Sequence, residues 1–488
     1  MRAHPAGPRH AEQLAESGPA PLPPPDGTLD PALWPDGVVR GADGALTMCG
    51  RSLPELAAEQ GTPSLLLDEA DFRRRARAFR DAFGDRPDAV ASEEQTPPAD
   101  VYYAAKAFLT VDVARWVEQE GLGLDVASGG ELEVALLAGF PAARIVLHGN
   151  NKQVDELRRA VAAGVGRVVL DSFDEIERLA VVAAELGRVQ PVLVRVTVGV
   201  EAHTHEFIAT AHEDQKFGFS LAEGTAAQAV ARVLAHRSLE LVGVHSHIGS
   251  QIFDTSGFEV AAHRAVGFAA AVRDDLGVTV PELNLGGGLG IAYVESDDPA
   301  DLHQFAGSLR AIVRRECAAY GLPLPRLAIE PGRAVVGPSA VTVYEVGTVK
   351  PVVLDGGRER HYVSVDGGMS DNVRAALYDA DYTVTLANRW SDVPPVRSRV
   401  VGMHCESGDI VVREAWLPGD VGPGDLLAVA ATGAYCRAMA SSYNFVGRPP
   451  VVAVRPDGST RVLLRRETLA DLLRLDPAAA EGVAAWES

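Results

Sequence analysis

Residues 167–198 read RVVLDSFDEIERLAVVAAELGRVQPVLVRVTV and contain one complete strand–helix–strand repeat. A β-branched run at 167–170 is followed by an amphipathic pattern at 173–186, and a second β-branched run covers 192–198. Ser172 before the helix and Glu175 three residues later form a capping box. The stretch therefore predicts a βαβ unit, the building block of parallel sheets.

The same alternation extends in both directions, from about residue 101 to residue 331. Helical patterns such as 131–138, 154–163 and 258–276 separate the strands, and Gly277 marks the end of the last of these helices. Eight repeats over roughly 230 residues indicate a closed (β/α)8 TIM-like barrel of class α/β, with functional groups at the C-terminal strand ends. A doubly wound open sheet is the competing architecture, which a count of strands does not exclude. The predicted strands are 101–105, 123–127, 144–147, 167–170, 192–198, 239–247, 282–285 and 326–329.

After residue 331 the chain predicts a second, all-β barrel or sandwich domain, because valine-rich runs alternate with Gly, Pro and Asp turns. Residues 38–47 are expected to add an N-terminal strand to it, and the polar stretch 85–100 is expected to be an exposed loop. The predicted runs are 340–349, 361–365, 382–386, 400–403, 426–430 and 451–454. The predicted organisation is a disordered Pro-rich tail (1–36), an N-terminal strand segment (37–62), the barrel (63–331), the β domain (332–478) and a C-terminal tail (479–488).

The composition excludes several classes of protein. The 488 residues include 45 Lys plus Arg against 66 Asp plus Glu, and the net charge of −21 argues against nucleic-acid and membrane partners. The four cysteines show no CxxC spacing, which predicts a reducing compartment. No apolar run reaches about 18 residues, and the N-terminus lacks a secretory signal. We therefore expect a cytoplasmic protein.

Polar residues and a glycine triplet follow the predicted barrel strands and should gather at one face. Lys106 closes an apolar strand; a solvated lysine is the commoner outcome, but a partly dry site would lower its pKa and make its amine a nucleophile toward aldehydes. The triplet after the seventh strand lets backbone N–H groups approach a phosphate, although it matches neither common nucleotide motif. The set comprises Lys106, Asp125, Ser128, His148, Asp171, Arg195, His247, Gly286, Gly287, Gly288 and Glu330.

Histidine pairs occur at His245/His247 and at His203/His205. Metal ligation is one interpretation, but we favour hydrogen-bonded histidines, and a histidine at a strand end can also stack on a planar cofactor. Glu330 could keep a pyridine nitrogen protonated, and Arg333 could reach a phosphate. Lysine, glycine triplet, histidine and carboxylate together favour pyridoxal phosphate over a metal or a nucleotide.

The predicted β domain carries three further groups of polar residues. Arg374 and Tyr378 are four residues apart and suited to binding one carboxylate, while Cys405 lies next to Glu406. Tyr435 lies in a turn-like polar stretch. Each of these groups is also compatible with a purely structural role.

Many spaced motifs of the chain resemble those of the fold-type III, alanine-racemase-like pyridoxal-phosphate decarboxylases. They are YYAAKAF, DVASGGEL, HGNNK, HTHEF with KFG, HSHIGSQ, GGGLG, EPGR, DGGMSDNVRAALY, CESGD and GAY, in that order, over about residues 50–473. The resemblance implies the barrel plus β domain, pyridoxal 5'-phosphate as cofactor and a homodimer with shared active sites. The expected reaction converts meso-2,6-diaminopimelate to L-lysine and CO₂, the last step of lysine biosynthesis. Ala375 and Ala211-His212 depart from the family pattern without touching an expected role.

The resemblance also implies roles for the matching residues. Lys106 would hold the cofactor covalently, His247 would stack on its pyridine ring, and Glu330 would pair with the ring nitrogen. The residues expected around the cofactor phosphate are Ser250, Gly286, Gly287, Gly288, Arg333 and Tyr435. The residues expected at the substrate are Arg333, Arg374 and Tyr378 on its distal carboxylate, Tyr435, and, from the neighbouring subunit, Cys405 as proton donor and Glu406 on the distal amine.

Three other interpretations remain open. A related decarboxylase would act on another amino acid or a carrier-linked substrate. A catalytically inactive relative would bind and regulate a partner, although Lys106, Glu330 and Cys405 are all present. A metal-dependent barrel hydrolase is the most distant alternative.

Overall fold

The computed structural model describes residues 28–84, 99–199, 216–354 and 357–479. The chain divides into two compact units. One unit takes Met1–Phe72, Ala292–Asp297 and Val336–Ser488, and the other takes Arg73–Ile291 and Asp298–Val335. Within the described ranges, no helix is both long enough and apolar enough to cross a membrane.

The second unit is a closed barrel of eight parallel strands. The last strand pairs with the first, Ala328 opposite Asp100, and this pairing closes the ring that an open sheet would leave unclosed. The predicted (β/α)8 barrel is therefore confirmed. Its strands are Asp100–Ala104, Gly123–Val126, Ile145–Leu147, Arg167–Leu170, Gln190–Thr197, Leu239–His245, Glu282–Asn284 and Arg326–Ile329, with a short extra strand, Phe219–Ser220, beside the fifth.

Helices follow the barrel strands, and their termini match the sequence signals. The Ser172 side chain accepts a hydrogen bond from the Glu175 backbone N–H at 3.3 Å, which is one half of the predicted capping box. The Glu175 side chain accepts from the Lys152 ammonium instead of completing the box. Gly277 is left-handed (φ 70°) at the end of its helix. The helices assigned to this unit are Val111–Gln119, Gly129–Leu137, Val154–Ala163, Phe173–Glu185, Thr225–Ala235, Ser256–Leu276 and Leu302–Tyr320, together with most of Glu69–Phe83 and the start of Arg333–Val336.

The barrel interior has three successive layers along the strands: an ion pair, an apolar layer and a polar layer. At the N-terminal ends, Arg167 pairs with Glu282 across the barrel at 2.9 Å. An apolar layer follows, formed by Tyr102, Val146, Val169, Leu193 and Ala328. The C-terminal ends carry the buried polar groups, which places the candidate site at that end.

The other unit is built around a strand that the sequence analysis did not assign to it. Ser64–Asp68 pairs antiparallel with Ala340–Val353 and parallel with Val451–Val454, whereas the predicted domain boundary placed residue 63 onwards in the barrel. All five residues of this strand are buried, as expected for a central strand. The remaining strands are Glu359–Val365, Val384–Leu386, Pro395–Val401, Ile410–Pro418, Leu426–Val429 and Thr460–Leu464, and the short helices are Leu53–Gln60, Arg374–Tyr378 and Leu469–Leu473.

The predicted N-terminal strand at 38–47 is broken in the structure. Three short strands, Val38–Arg40, Leu46–Met48 and Arg51–Ser52, form a separate sheet of their own. Gly44 has φ 85° in the turn between the first two, where the single predicted strand could not continue. Leu33 and Trp34, which were predicted to lie in the tail, are buried in the core of this unit, while residues 1–27 fall outside the described ranges.

Candidate active site

Lys106 is the second residue after the first barrel strand and lies in the short turn Ala105–Ala107. Both alanines are buried, which fixes the turn, while the Lys106 side chain is exposed rather than dry. Desolvation lowers the pKa of half-buried His247, and the positive charge of Lys106 lowers it further. The same charge opposes the desolvation that raises the pKa of buried Asp125. The amine therefore faces the polar end of the barrel.

Glu330, directly after the eighth strand, is held by side chains from three other strand ends. Its Oε1 accepts a hydrogen bond from Asn284 Nδ2 at 2.8 Å and lies 2.9 Å from His148 Nε2, in an orientation unfavourable for a hydrogen bond. Its Oε2 lies 3.1 Å from His245 Nε2 and accepts from it. Burial would raise the pKa of Glu330, but the electrostatic interaction with His148 and the hydrogen bond with His245 lower it well below its usual value. Glu330 is therefore a buried, ionised carboxylate.

The glycine triplet forms a tight turn beside this carboxylate. A Cβ on Gly286 would lie 2.6 Å from the Ser246 carbonyl oxygen, and one on Gly287 would overlap the Glu330 carbonyl oxygen. Gly288 has φ 114°, which side-chain-bearing residues rarely adopt. The turn therefore packs with its backbone directly against the neighbouring strand ends that carry Ser246 and Glu330.

Ser250 and Arg333 supply polar groups from the same unit. Arg333 Nη2 donates a hydrogen bond to Ser250 Oγ at 2.9 Å. A guanidinium and a hydroxyl in contact, together with a glycine turn in the same unit, have the chemistry of a phosphate site.

Asp171 and Arg195 form a further contact at the strand ends. Arg195 Nη1 lies 3.6 Å from Asp171 Oδ2, and its guanidinium lies 4.3 Å from the centre of the Phe217 ring. Asp171 Oδ1 accepts from the Gly218 backbone N–H at 2.6 Å. These contacts fix the backbone after the fifth strand, so both residues have a structural role.

The histidine pairs behave differently from each other. His245 is bonded to Glu330, which agrees with the favoured interpretation of a hydrogen-bonded histidine, while His203 and His205 fall outside the described residues. The ligand atoms of His148, His245 and Glu330 lie within 4.8 Å of one another, so this trio is the place where a metal ion would fit. Sequence reasoning missed the link between these three residues, which come from strands far apart in the chain.

The β unit contains a buried guanidinium with neutral partners. Arg374 is 6% exposed, and its Nη1 donates to the Tyr382 hydroxyl at 2.5 Å. Its guanidinium lies 4.5 Å from the centre of the Tyr293 ring. Among the described residues no carboxylate forms an ion pair with Arg374. The predicted partner Tyr378 closes the same short helix without bonding Arg374, so Tyr382 and Tyr293 are the residues that the sequence analysis missed.

The segment 402–409, which carries Cys405 and Glu406, is shaped by Asp409. Asp409 accepts hydrogen bonds from the Met369 and His404 backbone N–H groups, at 2.6 and 2.7 Å. The Cys405 thiol and the Glu406 carboxylate are exposed. Tyr435, elsewhere in this unit, has φ 61°, a strained value for a tyrosine.

The fold and these groups are those of a (β/α)8-barrel enzyme with a candidate site for a phosphorylated cofactor at its C-terminal strand ends. Residues 70–337, more than half of the chain, match the family model "Pyridoxal-dependent decarboxylase, pyridoxal binding domain". The particular branch follows from the relatives. The diaminopimelate decarboxylase of Mycobacterium leprae is 55% identical over 486 residues, covering 98% of this chain and 100% of that protein. That of Mycobacterium tuberculosis H37Rv is 57% identical over 455 residues, covering 92% of this chain and 98% of that protein.

Solved structures agree with this assignment. The diaminopimelate decarboxylase of M. jannaschii in complex with L-lysine superimposes with a TM-score of 0.82 at 30% identity, over 90% of this chain and 98% of that one. The Helicobacter pylori enzyme complexed with L-lysine gives 0.77 at 28% identity, over 88% and 100%. The chain belongs to the diaminopimelate decarboxylase family, a family of pyridoxal-dependent carboxy-lyases.

Proposed function

We propose that the chain decarboxylates meso-2,6-diaminopimelate to L-lysine and CO₂ with pyridoxal 5'-phosphate as its cofactor. The observation that carries the proposal is the buried Glu330 carboxylate, which accepts a hydrogen bond from Asn284 and lies beside a glycine turn with no space for side chains. Relatives named for this reaction match the chain over nearly its full length, and solved relatives contain L-lysine, the expected product.

The residues of the barrel fit this cofactor. Glu330 offers a carboxylate for the ring nitrogen, and the glycine turn with Ser250 and Arg333 offers donors for the phosphate. When bound, pyridoxal phosphate supplies an electron sink for the pair released as CO₂ leaves. Lys106 provides the amine that anchors the cofactor through its aldehyde carbon.

The remaining residues orient the cofactor and transfer protons. His247 supports the face of the pyridine ring, and Glu330 holds a proton on the ring nitrogen, which strengthens electron withdrawal. Cys405 of a second subunit returns a proton to the carbon that lost CO₂, and Glu406 of that subunit binds the distal amine, so the active form is a homodimer.

Substrate selection rests on the distal carboxylate. Arg374 is buried, and its hydrogen-bond partner, the Tyr382 hydroxyl, is neutral, so a substrate carboxylate gives its charge the partner that it lacks. Tyr378, which closes the same short helix as Arg374, completes this role. A substrate without the carboxylate leaves the guanidinium unpaired, which is costlier than a missing methylene group.

The test is CO₂ release by the purified protein from meso-diaminopimelate, ornithine, arginine and lysine, with and without added pyridoxal phosphate. We expect release from meso-diaminopimelate, and kcat/KM values at least about 100-fold lower for the other three. Lys106→Ala should abolish release, while Lys350→Ala, at an exposed lysine, should not change it.

Each other outcome points to a different function. Preferred turnover of ornithine, arginine or lysine would identify a related decarboxylase with another substrate. A protein that binds pyridoxal phosphate but releases no CO₂ from any amino acid would be a regulatory relative. A Lys106→Ala variant with full activity would refute the assigned anchor.

A further inference from the structure

The Glu330 carboxylate is surrounded by side chains from three different barrel strands. Asn284 ends the seventh strand, His245 ends the sixth, and His148 follows the third. Their nitrogen atoms lie 2.8, 3.1 and 2.9 Å from the Glu330 oxygens. Both carboxylate oxygens are therefore held by side chains of neighbouring strands, and the carboxylate cannot rotate without losing a contact.

The two imidazoles are themselves immobilised. Their rings meet edge to face, with centroids 4.9 Å apart and an interplanar angle of 69°. His148 is 7% and His245 1% exposed, and His148 Nε2 also lies 3.6 Å from Asp125 Oδ1. Packing thus holds each Nε2 against Glu330, and neither ring can turn toward solvent.

The protonation state of His245 leaves the negative charge of Glu330 available to a cationic ring nitrogen. Burial lowers the pKa of His245 to about 4, so this histidine is neutral near pH 7 and donates through Nε2. A neutral donor stabilises the carboxylate without cancelling its negative charge, whereas a lysine or arginine in this place would cancel it. The full charge of Glu330 stays available to a protonated ring nitrogen.

We propose that His148 and His245 are positioning residues that hold the Glu330 carboxylate toward the ring nitrogen of pyridoxal phosphate and thereby keep that nitrogen protonated. This inference rests on the proposed cofactor. Without the two histidines, Glu330 can rotate or take up a proton itself, and the ring nitrogen loses its partner. The histidines act through Glu330 and need no contact with the substrate.

The test compares donor-free and donor-retaining variants at each position. His148→Met and His245→Met keep similar volume without an N–H, while His148→Gln and His245→Gln keep an N–H at the distance of Nε2. Each protein is loaded with pyridoxal phosphate carrying ¹⁵N in its ring, and the ¹⁵N resonance reports whether the ring nitrogen is protonated. We expect a protonated nitrogen in the wild type and the Gln variants, and an unprotonated one in the Met variants.

Cofactor affinity gives a second readout that does not depend on activity. The dissociation constant of pyridoxal phosphate, measured by fluorescence titration, should rise about 10- to 100-fold in His245→Met, the range expected for one lost hydrogen bond to a charged group. It should also rise in His148→Met, which loses the close contact of Nε2 with Glu330 Oε1. The Gln variants should stay within about threefold of the wild type. If a Met variant does not fold, His245→Asn, whose shorter amide cannot reach Glu330, replaces it.

Two results would overturn the inference. One is a Met variant with wild-type ring protonation and cofactor affinity. The other is one equivalent of a divalent metal in the purified wild type that disappears in both Met variants, since the trio would then be a metal site. Failure of the wild type to bind pyridoxal phosphate would instead refute the proposed function, so the two failures are distinguishable.

Discussion

Replacing Lys152 with methionine should destabilise the barrel unit by about 4 kcal/mol. The Lys152 ammonium is buried and donates hydrogen bonds to three acceptors: the Gly149 carbonyl at 2.7 Å, the Val169 carbonyl at 2.6 Å and Glu175 Oε1 at 2.7 Å. Glu175 is completely buried. Burial lowers the pKa of Lys152 and raises that of Glu175, and the charge of each partner opposes the shift of the other.

The size of each stability loss follows from the buried polar groups that the substitution leaves without a partner. Lys152→Met leaves a buried carboxylate without its cation, which costs about 3–5 kcal/mol. Glu175→Leu leaves the ammonium with its two carbonyl partners, which should cost about 3 kcal/mol. The double variant removes both charges and leaves two carbonyls without a donor, again about 3 kcal/mol. Independent effects would instead add to about 7 kcal/mol.

Hydrogen–deuterium exchange followed by mass spectrometry can measure these changes within one unit. Peptides covering residues 145–163 should lose protection in each single variant and no further in the double variant, while peptides covering 426–429 in the other unit serve as an internal control. Lys350→Met, at an exposed lysine, is the matched substitution and should change neither region. A double variant as unstable as the sum of the singles would refute the pairing argument.

Three further outcomes follow from the structure. Gly287→Ala should abolish uptake of pyridoxal phosphate, because its Cβ would overlap the Glu330 carbonyl oxygen. The control is Gly307→Ala, at a helical position where an added Cβ meets no neighbouring side chain or strand within 4 Å, and it should leave uptake unchanged. Equal cofactor binding by both variants would contradict the tight packing of the turn. Arg374→Met should lower kcat/KM for meso-diaminopimelate at least about 100-fold without changing cofactor affinity. The control Arg237→Met, at an exposed site, should not change kcat/KM. Unaltered steady-state kinetics for Arg374→Met would exclude a role of Arg374 at the distal carboxylate. His245 has a pKa of about 4 in the folded chain against about 6.5 when unfolded, so the unfolded chain binds a proton that the folded chain does not, and stability should fall by about 3 kcal/mol as pH drops from 6.5 to 4. Urea unfolding at several pH values should show a shallower loss in His245→Gln, and identical slopes would contradict the assigned pKa.

Local sequence patterns were sufficient for the eight strand–helix repeats and for the order of the site residues, whereas the pairing of the last strand with the first, which closes the barrel, was decided by the tertiary structure. The strand Arg167–Leu170 and its capped helix follow from β-branched residues and from Ser172, which are signals between near neighbours in the chain. Closure of eight such repeats brings every strand end to one rim, so the appearance of Lys106 and Glu330 among the strand-end residues was also predictable.

Partners distant in the chain were decided by the tertiary structure alone. The run Ser64–Asp68 has the composition of a buried strand in either unit, and only its pairing with Ala340–Val353 and Val451–Val454 assigns it to the β unit. A strand's own sequence sets how it is buried but not which neighbour accepts its backbone hydrogen bonds.

The same limit applies to the site. The contacts of Glu330 with His148 and His245, and of Arg374 with Tyr382, depend on side-chain directions that are fixed only when barrel and sheet have closed and packed. The sequence by itself determined which chemical groups are present and at which end of the barrel they gather. Tertiary packing decided which of them touch, because desolvation and hydrogen-bond geometry act between residues that the chain alone does not bring together.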